Sequence, residues 1–159
     1  AIVLNNLGDV ANLQGRHAEA EAHLQESIRL KQALGNEQGL AFSLVHLGQA
    51  YLGLRQPEKA RGCFLETLRL TQKLTLPPLA LAAILGVAEL QAANGRAADA
   101  RQLLRLPLHH PAAWQRTRRE ARALLERLGE EETAASDAPL PTLEAITAQL
   151  LAAGQAKEG

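Results

Sequence analysis

Methionine is absent from these 159 residues, cysteine occurs once, and aromatic residues make up only 3% of the chain. One cysteine, Cys63, excludes an internal disulfide and agrees with a reducing, cytoplasmic setting. The scarcity of aromatics beside a 47% hydrophobic content argues against a sheet protein, which draws on aromatic and β-branched residues, and points to a globular helical one. An excess of either charge is also missing, with 17 Lys plus Arg against 17 Asp plus Glu. That balance removes the general electrostatic case for nucleic acid or an anionic membrane surface. No apolar run approaches the roughly 20 residues of a membrane span, and no secretory leader is visible. The opening Ala1-Ile2-Val3-Leu4 is apolar and uncapped, and together with the missing methionine it leads us to expect a segment of a larger protein.

What the chain does have is internal repetition, the pattern to seek before any other. Shifting the sequence by 40 residues returns Leu4, Leu7, Gly8, Ala20, Glu26, Arg29, Leu30, Gln32 and Leu34 as Leu44, Leu47, Gly48, Ala60, Glu66, Arg69, Leu70, Gln72 and Leu74. A second shift gives a more diverged copy in Ile84, Val87, Ala88, Ala100 and Leu104. Two places stay small in every copy: Gly8/Ala20, Gly48/Ala60 and Ala88/Ala100. A glycine inside a helix costs about 1 kcal/mol against alanine. Its recurrence therefore predicts a close crossing of two helices, with Gly8 facing Ala20.

Each copy reads as helix, tight turn, helix: 1–14 with 17–34, 37–54 with 57–74, and 78–93 with 97–106. Gly15 and Gly95 supply left-handed residues at helix ends, and Pro57 suits a first turn. Asn36 and Thr75, the latter shortly before Pro77 and Pro78, restart the chain for the following copy. The expected layout is three pairs (1–36, 37–76, 77–111), a capping helix at 112–129, an acidic, proline-containing linker at 130–141 and a last helix at 142–154. Along 112–128, Ala113, Trp114, Ala121, Leu124, Leu125 and Leu128 share one arc, as a core-facing stripe does. Such a helix would cover the end face of a repeat array.

The residues Leu4, Leu7, Gly8, Ala20 and Leu24, then Leu44, Leu47, Gly48, Tyr51, Ala60 and Phe64, resemble the tetratricopeptide repeat. The third copy departs from that pattern at Gln91 and Pro107. The resemblance implies an all-α, right-handed solenoid whose first helices line a concave face. Its period here is 40 rather than the family's usual 34 or so. Arrays of this longer period are similar to the sensor arms of bacterial STAND-type signalling ATPases. That implies an effector-sensing regulatory arm, or else a constitutive scaffold without switching. No phosphate-binding loop of the form G-x-x-x-x-G-K-[ST] occurs in the chain.

By the same resemblance the partner-binding residues are Asn5, Asp9, Asn12, Phe42, Val45, Gln49, Leu52, Leu85 and Glu89, and the partner is a protein, a peptide or another domain of the parent chain. The Lys and Arg with which relatives grip acidic chaperone tails are missing: Ile2, Asn5, Asn6, Phe42, Val45 and His46 stand there. Nothing supports catalysis, a cofactor or a metal. His17, His23, His46, His109 and His110 share no ligand spacing, and Ser27, Ser43 and Ser136 lie in no nucleophile motif. Arg118, Arg119 and Arg122, opposite the stripe of 112–128, read as a solvated face that the acidic tail could pair with. Cys63 reads as a structural thiol. The apolar Ile2, Val3 and Leu7 lead us to expect a homodimer through the N-terminal face.

Overall fold

The computed structural model describes residues 1–129 and 139–156, and among them every regular element is an α-helix. The chain divides into two units, Ala1–Thr75 and Leu76–Gly159. The expected linker acids Glu130, Glu131 and Glu132 lie outside the described residues.

The first unit holds α1 (Ile2–Leu13), α2 (His17–Ala33), α3 (Glu37–Gly53) and α4 (Pro57–Leu74). Packing runs α1 on α2, α2 on α3 and α3 on α4, and α1 also meets α3. Two hairpins thus stack so that their first helices are neighbours. The repeated glycine decides how closely each hairpin closes. A methyl group built on Gly8 would stand 2.5 Å from Cγ of Leu24, and one on Gly48 would stand 2.5 Å from Cε1 of Phe64. Leu24 and Phe64 are both fully buried. The glycine therefore seats the large residue of the second helix, a contact the sequence reading, which paired Gly8 with Ala20, did not name. Ala20 and Ala60 are themselves wholly buried, one turn earlier on the same helix.

The repeat also fixes the turns. Gly15, Arg55 and Gly95 occupy one repeat position and all have positive φ, at 72°, 56° and 75°. Behind each, the next amide reaches back to a carbonyl five residues earlier: Arg16 to Ala11 at 2.8 Å, Gln56 to Tyr51 at 2.8 Å, Arg96 to Gln91 at 2.9 Å. This is the closing bond of a helix that ends on a left-handed residue. Asn36 caps α3 as expected, its side chain accepting from the Gly39 amide at 2.8 Å. Thr75 does not act as a start signal. It ends α4 in the left-handed region at φ 54°, an unfavourable place for a β-branched residue, and Leu76 precedes α5.

The second unit holds α5 (Pro77–Ala93), α6 (Ala97–His109), α7 (Gln115–Arg127) and α8 (Leu143–Gln155). Here α5 packs on α6, α6 on α7, and α5 also touches α7 and α8. The sequence led us to end α6 at 106, before Pro107. The helix instead runs to His109 with Pro107 buried, because a proline near a helix end removes only one ladder bond. In α7 Ala121, Leu124 and Leu125 are buried as the stripe requires, but Trp114 precedes the helix and is 39% exposed.

Two substitutions check this account. Gly48→Ala should destabilise the chain by about 1–3 kcal/mol, since Phe64 has nowhere to move. Gly62→Ala, mid-helix in α4 with nothing within 4 Å, should be neutral or stabilise by up to about 1 kcal/mol. Thermal melts of both beside the parent would expose a wrong assignment if Gly48→Ala melted no lower than Gly62→Ala.

Candidate functional site

The candidate residues fall into both units, and each unit presents its own set. In the first, Asn5, Asp9 and Asn12 recur at helical spacing on one side of α1 and are turned toward α3. Asn5 Oδ1 accepts from Ser43 Oγ at 2.8 Å and from Lys31 Nζ at 3.4 Å. Asp9 Oδ1 lies 3.3 Å from His46 Nδ1. Asn12 Nδ2 donates to the His46 carbonyl at 2.8 Å, and its oxygen lies 3.4 Å from His17 Nδ1. Three short polar side chains on successive turns thus tie the two first helices together. All three remain half-buried, so each keeps an edge toward solvent.

On α3, Phe42, Val45, Gln49 and Leu52 fall within about 80° of one another at roughly 100° per residue. Val45 is buried at 2% exposure and supports the others from beneath. Phe42, Gln49 and Leu52 are half-buried, and Gln49 Oε1 lies 3.3 Å from the same His46 Nδ1 that meets Asp9. The accessible surface is therefore two large apolar side chains with an amide between them, flanked by the α1 polar strip.

Beneath this strip lies a cluster that the sequence did not reveal. Lys31 is 3% exposed, and its ammonium donates to Ser43 Oγ at 2.7 Å, with Ser27 Oγ 3.0 Å from the same hydroxyl. Burial holds the Lys31 pKa below its ordinary value. One period later these positions hold Thr67, Thr71 and Ala83, and the two threonines bond back to their own helix, at Cys63 and Leu68. The polar layer thus belongs to the first pair of hairpins alone. Cys63 is buried, which pushes its thiol up to about 12, so it is an inert packing group.

In the second unit Leu85 is 3% exposed, a core residue of α5. Glu89 is half-buried on the same helix, and burial raises its carboxyl to about 7, with the Glu120 carboxylate adding and Arg127 opposing. The expected solvated face of α7 needs correction at Arg118. That side chain is half-buried and clamps the end of α6, donating from Nε to the Leu108 carbonyl at 3.1 Å and from Nη2 to the His110 carbonyl at 3.0 Å. Arg101 does the reverse service, donating to the Leu128 carbonyl at 2.7 Å where α7 ends. Carbonyls at the C-terminal ends of α6 and α7 are thus met by guanidiniums from the neighbouring helix, and no helical wheel shows that.

Among the described residues no three His, Cys, Asp or Glu converge as a metal-binding group, and no helix is long and apolar enough to cross a membrane. The tetratricopeptide repeat family matches residues 1–73 in one form and 46–109 in another. Over residues 1–109 the chain belongs to the tetratricopeptide repeat family. No curated protein and no solved structure matches it. Tetratricopeptide repeats serve protein–protein interaction and scaffolding, and nothing in the site points to catalysis.

Glu89 gives this region a pH signature. The unfolded chain releases that proton near 4.5 and the folded chain holds it to about 7, so folding takes up a proton in between. Its contribution is full below 4.5 and is lost as pH rises through 7. Glu89→Gln keeps the shape and removes the charge. It should raise stability at pH 8 by about 1–3 kcal/mol and change little at pH 5. Equal shifts in the melting temperature at both pH values would refute the assignment.

Proposed function

We propose that the first unit binds a peptide segment of a partner protein along α3, with Phe42 and Leu52 as apolar anchors, Gln49 as the polar contact between them, and the exposed edges of Asn5, Asp9 and Asn12 as one wall. The observation that carries this reading is the pair of half-buried large apolar side chains on one face of a first helix, where Val45 holds them from below. A few well-packed anchors supply most of the binding energy of an interface. The wall is polar to mildly acidic and carries no Lys or Arg, so the fitting partner is apolar or mildly basic and not an acidic tail. In the second unit Glu89 is the accessible counterpart, and Leu85 its support.

A narrower version makes the chain the regulatory arm of a STAND-type signalling ATPase. The 40-residue period supports it, and partner occupancy would then change how the arm restrains the nucleotide-binding core. A constitutive scaffold is the other version, and the same surface would serve it. Only a parent chain whose ATP turnover responds to the partner would favour the regulatory version.

The surface is tested by recovering partners on the immobilised chain and on a Phe42→Arg, Leu52→Glu double variant, after circular dichroism shows both folded. An identified partner should bind the parent at least tenfold more tightly than the variant. Equal affinity would move the binding surface off α3.

A further inference from the structure

Two carboxamides on the α1 and α3 surface are held by their oxygens. Gln49 Oε1 lies 3.3 Å from His46 Nδ1, and Asp9 Oδ1 lies 3.3 Å from the same ring nitrogen. Asn5 Oδ1 accepts from Ser43 Oγ at 2.8 Å and from Lys31 Nζ at 3.4 Å. The two ends of a carboxamide are alike in shape, so chemistry decides which end faces inward. An ammonium has only donors, and Asn5 must therefore turn its oxygen to Lys31. At Gln49 the choice passes through Asp9. A carboxylate only accepts, so the ring nitrogen beside it carries the proton. That N–H in turn takes the amide oxygen of Gln49 and not its nitrogen.

The consequence lies on the outer side. With both oxygens turned inward, the nitrogens point away from their partners. Among the described residues neither Gln49 Nε2 nor Asn5 Nδ2 meets an acceptor, and neither atom is buried. Asn12, by contrast, spends its nitrogen on the His46 carbonyl. Gln49 stands between Phe42 and Leu52, so a segment lying on those two side chains passes over a group that donates and has no acceptor to offer. A donor placed there would face N–H groups, whereas an acceptor is satisfied. Asp9, on the other side of the same ring nitrogen, repels a carboxylate. The fitting acceptor is the neutral oxygen of an amide.

Given that α3 is the face that binds, we propose that Asp9 and His46 are positioning residues that lock the Gln49 carboxamide with its nitrogen outward, so that this point of the surface takes an amide carbonyl of the partner segment. The carbonyl is either a main-chain one or that of an Asn or Gln side chain.

The lock is tested on the full chain without any partner. Long-range nitrogen–proton NMR at a pH where the ring is neutral shows which ring nitrogen carries the proton, the His46 signals being assigned by their loss in His46→Gln. The parent should carry it on Nδ1, and Asp9→Ala should shift it toward Nε2. A parent ring protonated on Nε2 would overturn the proposal. The carbonyl is tested with the tightest peptide selected from a random-sequence library on the immobilised chain. Gln49→Met, folded by circular dichroism, should bind that peptide about tenfold more weakly. Main-chain amides of the peptide are then replaced one at a time by esters, and its Asn and Gln side chains by Ala. One replacement should weaken binding to the parent and not to Gln49→Met, and it identifies the carbonyl used. A peptide weakened by Phe42→Arg but indifferent to Gln49→Met would overturn the proposal while leaving the α3 surface intact. A peptide indifferent to Phe42→Arg would overturn that surface and the proposal with it.

Discussion

Everything in the first unit depends on one contact made twice, a large side chain of a second helix lodged over a glycine of the first: Leu24 on Gly8 and Phe64 on Gly48. A glycine is a poor helix residue, and it persists because the neighbouring side chain occupies the volume its Cβ would need. With the helices of each hairpin held at that distance, Ala20 and Ala60 are forced inside. The three-residue turns then close on left-handed residues in the same repeat position, even where that residue is Arg55. Where hairpins stack, the contact is of a different kind. Between α1 and α3 it consists of short polar side chains and one buried amine, which fix register without requiring close backbone approach.

That division separates what holds the fold from what is left for partners. The Asn5, Asp9 and Asn12 strip is half committed to α3 through Ser43 and His46, so its role in binding is that of a rigid wall. Phe42 and Leu52 stand on a helix braced on three sides by α1, α2 and α4, which keeps two apolar anchors at fixed spacing. Preorganisation of this kind lowers the entropic cost of binding.

Much of the fold was legible because it is periodic. The period of 40, the paired small residues and the left-handed glycines place six of the eight helices among the described residues to within about three residues. The repeated Glu26/Arg29 and Glu66/Arg69 pairs carried the same signal for a different reason, since they are exposed ion pairs one turn apart and not packing residues. What the sequence could not show is what depends on three-dimensional neighbours. Leu24 is the side chain lodged nearest Gly8, a matter of how the two helices meet in space. Lys31 is buried because a Ser and an Asn from two other helices converge on it. Arg118 leaves the solvated face because the Leu108 and His110 carbonyls at the end of α6 lie within its reach. Of the candidate site, the polar strip and the α3 face follow from repeat position, but that Val45 and Leu85 are supports and not contacts is a matter of burial alone.

The most direct measurement of the central claim is site-specific photocrosslinking of the intact chain in a native extract, with a photoreactive residue at Gln49 on the proposed surface or at exposed Gln72 on α4. The account predicts a discrete adduct at Gln49, abolished by Phe42→Arg, and none at Gln72. A discrete adduct at Gln72 with none at Gln49 would contradict it and place the working surface on the second helices.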